Sequence, residues 1–280
     1  MTGSVRWAAC FVGLAFAFSW VPLGIVAVTT GDPTATPESV ALWALAGLGP
    51  GLAAFVVATA SEGRRGLATL LRGLRHWRVG RWYALLLAPL PVALAAVLIA
   101  VAVGPARLEL AGPAEVALLP VLLLNGIAFG GLEEIGWRGY LLPRLQEHAS
   151  ALVASVLVGL VWSMWHAPLF LLEGTSQASA SLFWFTVQAV ALSILATWAY
   201  NGSDGSVLLL IGAHGALNAS YAAAVRWLAP EALATFTPYA ALLVAACAAV
   251  VLWRYGPESL SRRPRQRWSA GGHGDPVVPG

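Results

Sequence analysis

Eight runs of about 20 apolar residues follow one another along this chain, at roughly 6–29, 39–60, 82–104, 116–142, 152–172, 181–200, 205–228 and 236–255. A helix rises 1.5 Å per residue, so about 20 residues cross the roughly 30 Å hydrocarbon core of a bilayer. These runs are continuous, unlike the periodic stripes that a soluble helix turns toward its core. Only 10% of the 280 residues are charged and 59% are hydrophobic, whereas a soluble domain carries about 25% charged residues. A water-facing surface cannot be made from that composition. The expected fold is an all-α polytopic membrane helix bundle of about eight transmembrane helices, multi-pass in the cell membrane. The polar gaps between runs, such as Thr30 to Glu38 and Asn201 to Ser206, carry turn chemistry for antiparallel neighbours.

All basic residues are arginine, and they fall mostly on one side when the loops alternate. Arg6, the loop with Arg64, Arg65, Arg72, Arg75, Arg78 and Arg81, the segment with Arg138 and Arg144, and the tail from Arg254 to Arg267 share that side. Asp32, Glu38, Glu109, Glu115, Glu173 and Glu231 collect on the other, with Arg107 and Arg226. The positive-inside rule then places both termini in the cytoplasm. Basic loops beside spans answer to anionic lipid, so a lipid bilayer is the expected partner and a nucleic acid is not.

The first run reaches about Val28 without a small-residue cleavage pattern and reads as a retained anchor. Leu67, Leu70, Leu71 and Leu74, at helical spacing among arginines, predict a short helix on the cytoplasmic interface. Residues 1–256 form the expected bundle, and 257–280, rich in Arg, Gly, Pro and Ser, the expected disordered cytoplasmic tail. Cys10 and Cys247 sit in apolar runs without metal-ligand spacing, which points away from a disulfide or a nucleophile.

Charged groups inside spans cost about 2.5–3.5 kcal/mol each on insertion scales, so they mark function unless packing explains them. Three clusters stand out: Gly130 to Arg138, Trp162 to Pro168, and His214 to Asn218. Glu134 and Arg138 are four apart and can pair on one helix face, which leaves Glu133 facing elsewhere as a candidate general base. The bland alternative has both glutamates sharing Arg138 as a structural ion cluster. His214 and Asn218 are also four apart and offer an imidazole and an amide to an oxyanion or a metal. Pro168 disturbs the helix just below His166 and predicts a kink there. Together these groups can activate a water. Counting 1.5 Å per residue puts His166 about 20 Å along its span and Glu133 about 15 Å from the cytoplasmic end of its own, a mismatch that tilt or a shifted boundary must close.

In these clusters the sequence resembles the CPBP family of intramembrane proteases, which groups eukaryotic CAAX prenyl endopeptidases with bacterial proteins linked to bacteriocin self-immunity. The family's twin glutamates with a following arginine are matched by Glu133, Glu134 and Arg138, its aromatic four before a histidine by Trp162 and His166, and its histidine four before an asparagine by His214 and Asn218. Phenylalanine is the usual aromatic, so the bulkier Trp162 narrows the expected cavity. The resemblance covers about 116–226 and implies an endopeptidase, a hydrolase acting near the cytoplasmic membrane face on a peptide or protein substrate. It implies that Glu133 and His166 activate water, that His214 and Asn218 hold the oxyanion, and that Glu134, Arg138 and Trp162 support the site. Zinc is the cofactor it leaves open, with Glu133, His166, His214 and Asn218 as the ligands if one is held. The competing readings are a non-catalytic membrane immunity or scaffold protein that keeps the polar core, and a small transporter. Inverted repeats would favour the transporter, but each motif occurs once.

Overall fold

A computed structural model describes residues 3–103, 117–227 and 233–268. Among the described residues, seven helical stretches are long and apolar enough to span a membrane. An eighth span results if α2 (Pro37–Gly47) and α3 (Gly49–Arg75), bent by 44° at their junction, count as one. The chain is therefore a multi-pass, all-α membrane bundle.

The first span is α1 (Gly3–Thr29), which packs along α3. Within α3 the backbone leaves helical geometry at Gly63, at φ 58° and ψ −135°, a region that an L side chain rarely enters. Past that break the chain folds back so closely that a Cβ on Gly66 would strike the Ala58 carbonyl. The stretch from Arg64 to Arg75 is thus the short amphipathic helix expected from its leucines, with Leu70 buried and Arg64, Arg72 and Arg75 exposed. A 3-10 turn (Gly80–Leu86) then leads into α4 (Pro89–Val103).

The fourth expected span is not one helix. It begins as α5 (Leu119–Phe129) and breaks at Gly130. A 3-10 turn (Gly131–Glu133), the short α6 (Glu134–Gly136), a π-helical turn (Trp137–Leu141) and α7 (Leu142–Leu145) follow. Such π turns inside helices recur at functional sites. The next span, α8 (Ala151–Trp165), starts on a Ser150 cap whose hydroxyl accepts from the Val153 amide. It continues as a 3-10 turn (Ala167–Leu171), so beside Pro168 the disturbance is a change from α to 3-10 geometry at His166. The last spans are α9 (Leu182–Gly202), α10 (Val207–Trp227) and α11 (Leu233–Tyr255).

Small residues set how closely these helices approach. Between lipid-exposed helices no hydrophobic force drives association, so close backbone contact and hydrogen bonds must. Added Cβ atoms on Gly126 and Gly215 would strike the facing helix of the α5–α10 pair, one on Gly159 the backbone of α9, and one on Gly136 Pro50 of α3. Large apolar side chains such as Leu94, Leu98, Leu124 and Trp253 point outward, where lipid is the solvent.

The tail needs correction over its first half. Residues 257–268 lie against the ends of the spans, with Leu260 and Trp268 buried. Asn201 and Gln146 pair through both amide groups and also bind this segment, Gln146 donating to the Gln266 carbonyl at 2.7 Å and Asn201 to that of Ser259 at 2.9 Å. Trp268 donates to Glu62 at 2.8 Å while its ring lies under the Arg144 guanidinium. Low apolar content suggested disorder, but two apolar anchors and paired amides suffice to hold a short segment. Residues 269–280 lie outside those described.

Candidate active site

The break at Gly130 follows from the crossing with α10. A Cβ on Gly130 would fall on the Asn218 side-chain nitrogen, and one on Gly131 would meet the Ile211 carbonyl. Only glycine lets the two backbones meet there, and the chain then turns through the 3-10 segment that presents Glu133 and Glu134.

The twin carboxylates have different partners. Glu134 Oε1 takes the Arg138 guanidinium at 2.8 Å and His214 Nδ1 at 2.8 Å. All three side chains are at least nine-tenths buried. Glu133 has no ion pair among the described residues. Its Oε2 accepts from the Trp162 indole at 2.7 Å and, more weakly, from the Trp137 indole at 3.4 Å, while Oε1 has no partner among the described residues. The bland alternative, with Arg138 shared by both glutamates, is not the observed arrangement.

The end of α8 orients His166. The His166 amide bonds the Ser163 carbonyl in a tightened last turn, which frees the Trp162 carbonyl, and this accepts from His166 Nδ1 at 2.8 Å. A carbonyl can only accept, so Nδ1 carries the proton and Nε2 is left for chemistry. The Trp165 carbonyl, freed in the same way above Pro168, accepts from the Trp20 indole of α1 at 3.0 Å. Non-helical backbone survives inside hydrocarbon only when its polar groups are satisfied in this manner. A carboxylate likewise fixes Nδ1 of His214 as the donor and leaves its Nε2 available.

Trp162 joins these parts. Its indole binds Glu133, its carbonyl binds His166, its ring meets those of His166 and His214 edge-on at 5.5 and 5.4 Å, and Arg138 lies over its face at 5.3 Å. The depth mismatch expected between His166 and Glu133 is therefore spanned by a side chain, with no described hydrogen bond between the two. Asn218 sits one turn from His214 against Gly130, at the entry to the turn that carries Glu133.

Four residues were not picked out from the sequence. Trp137 is the second indole on Glu133, and Phe185 packs on His166 with ring centroids 5.0 Å apart. Gln188 of α9 donates to the Tyr221 hydroxyl of α10 at 2.7 Å. Two of them left a signal: Tyr221 lies on the His214–Asn218 face by its spacing, and Trp137 lies four residues beyond Glu133.

The donor set does not fit zinc. Among the described residues no three or more His, Cys, Asp or Glu side chains are grouped to hold a metal ion.

Residues 115–220, which contain all seven residues singled out from the sequence, match the family model described as Type II CAAX prenyl endopeptidase Rce1-like. Over 106 residues the chain is 34% identical to CAAX prenyl protease 2 of Methanococcus maripaludis. The alignment covers 36% of this chain and 39% of that protein, well under two thirds of the relative's length. The stretch holding the twin glutamates, both histidines and Asn218 is thus similar, at the level of a family, to CAAX prenyl endopeptidases.

Proposed function

We propose that this protein is an intramembrane endopeptidase in which side chains, without a resident metal, activate a water against a peptide bond near the cytoplasmic membrane face. The observation that carries this reading is the division of labour between adjacent carboxylates. Glu134 is committed to Arg138 and His214, while Glu133 is buried, held by indole N–H groups and bound to no cation among the described residues. A water held between Glu133 Oε1 and His166 Nε2 gives its proton to Glu133 as its oxygen adds to the substrate carbonyl. His214 as the imidazolium, its Nδ1–H held by Glu134, donates its Nε2–H to the tetrahedral oxyanion, and the Asn218 amide donates its N–H. Collapse breaks the C–N bond, and the proton on Glu133 passes to the leaving amine. The substrate is a peptide or protein at the membrane. The relative's name carries prenylated CAAX substrates, and prenyl recognition is not part of this proposal.

The buried polar cluster would also serve a non-catalytic immunity or scaffold protein, since Glu134, Arg138 and His214 tie the broken fourth span to α10. Cleavage of a quenched-fluorescent peptide library by the purified protein in nanodiscs separates the readings. The expected result is cleavage by wild type that persists in chelator and is slowed at least about 10²-fold by Glu133→Gln and by His214→Ala. Loss of wild-type cleavage in chelator would put a metal at the site, and cleavage unaffected by either substitution would overturn the assignment.

A further inference from the structure

A polar cavity lies away from the site, where the amphipathic helix Arg64–Arg75, the turn between α9 and α10 and the described part of the tail meet. It has a volume of about 160 Å³. Arg72, His76 and Arg267 line it together with Thr69 and Tyr200. Among the described residues none of these five side chains has an ion-pair or hydrogen-bond acceptor. The acidic side chain on the wall, Asp204, is already paired with Arg263. A cavity ringed by two guanidiniums, an imidazole and two hydroxyls, its carboxylate neutralised, offers many donors and little to accept from them. Its lining includes residues at the ends of the candidate spans, such as Pro143, Tyr200 and Val207, where headgroups of a bilayer are expected to lie. Basic pockets in that position suit anionic headgroups, and arginine forks suit phosphate oxygens.

We infer that this cavity binds a phosphate-bearing anion, with Arg72 and Arg267 as its principal ligands and His76, Thr69 and Tyr200 as further donors. A phosphodiester headgroup and a free phosphate share that chemistry. Gly139 and Pro143 of the broken fourth span also line the cavity, so the anion sits against the segment that carries the twin glutamates.

The test uses the full chain, delipidated in neutral detergent, and reads binding rather than cleavage. Native mass spectrometry measures retention of phosphatidylglycerol against phosphatidylcholine, and the thermal midpoint measures inorganic phosphate against chloride at matched ionic strength. Wild type is expected to prefer phosphatidylglycerol or to be stabilised by phosphate. The double variant Arg72→Gln, Arg267→Gln should lose at least about tenfold in affinity, as expected for charge-assisted hydrogen bonds, and Arg64→Gln, exposed and off the cavity wall, should not. A variant-sensitive response to the lipid alone assigns a headgroup, and one to phosphate alone assigns a soluble anion. Should the double variant fail to fold, Thr69→Val provides the same comparison with a smaller loss. Equal retention of both lipids with no effect of phosphate, or equal affinity in wild type and variants, would overturn the proposal.

Discussion

At the scale of residues, chemistry written four apart in the sequence was legible and chemistry written across helices was not. The pairing of Glu134 with Arg138 follows from spacing alone, and it holds although a π turn begins between them. The partner of His214 did not follow: it is Glu134, 80 positions away, and no periodicity encodes which face of one span meets another. Trp162 was read as a bulk that narrows the cavity, but it is the donor that holds Glu133. Replacing it dissects the two roles. Trp162→Phe keeps the ring contacts and loses the indole N–H, so stability should fall by about 1.5–3 kcal/mol, as for a hydrogen bond to a charged group, with residual cleavage. Trp162→Ala removes both and should cost about 3–5 kcal/mol and abolish cleavage. Thermal unfolding in detergent alongside peptide cleavage checks both values, and a Trp162→Phe variant as stable and as active as wild type would deny Trp162 its role as a donor.

At the scale of elements, hydropathy located the spans because bilayer thickness fixes their length, but it could not show where a span is broken. The run at 116–142 reads as one helix by composition. Close packing against α10 breaks it at Gly130, and the glycines at the contact record that packing only once the partner is known. Gly130→Ala should therefore push Asn218 off its seat and cost about 1–3 kcal/mol, the usual range for overpacking, with cleavage falling in step. Gly13→Ala, on a helix with open space around it, should be neutral or stabilising by up to about 1 kcal/mol. Thermal midpoints of the two variants test this, and equal destabilisation would mean that the α5–α10 contact does not shape the site. The tail shows the converse limit: a segment polar enough to read as disordered is anchored by Leu260 and Trp268.

At the scale of the whole molecule, the fold class was legible because composition leaves no water-soluble alternative, and the bundle then assembles its polar groups from the broken fourth span, α8 and α10. From the arginine asymmetry we propose that the amphipathic helix Arg64–Arg75 faces the cytoplasm. Single cysteines at Thr34 and at Trp77, in a background lacking Cys10 and Cys247, should react with an impermeant maleimide from opposite sides of sealed vesicles; labelling from one side would reverse or break that topology. The central claim is that two adjacent carboxylates divide catalysis and structure between them. Single-turnover cleavage of a membrane-anchored peptide in nanodiscs, with the thermal midpoint measured on the same samples, tests it most directly. Glu133→Gln should unfold near the wild-type temperature and cleave about 10²–10⁴-fold more slowly, as for loss of a general base, whereas Glu134→Gln, which strands a buried Arg138, should lose about 3–5 kcal/mol of stability. Wild-type cleavage by Glu133→Gln, or equal loss of stability in both variants, would contradict the account.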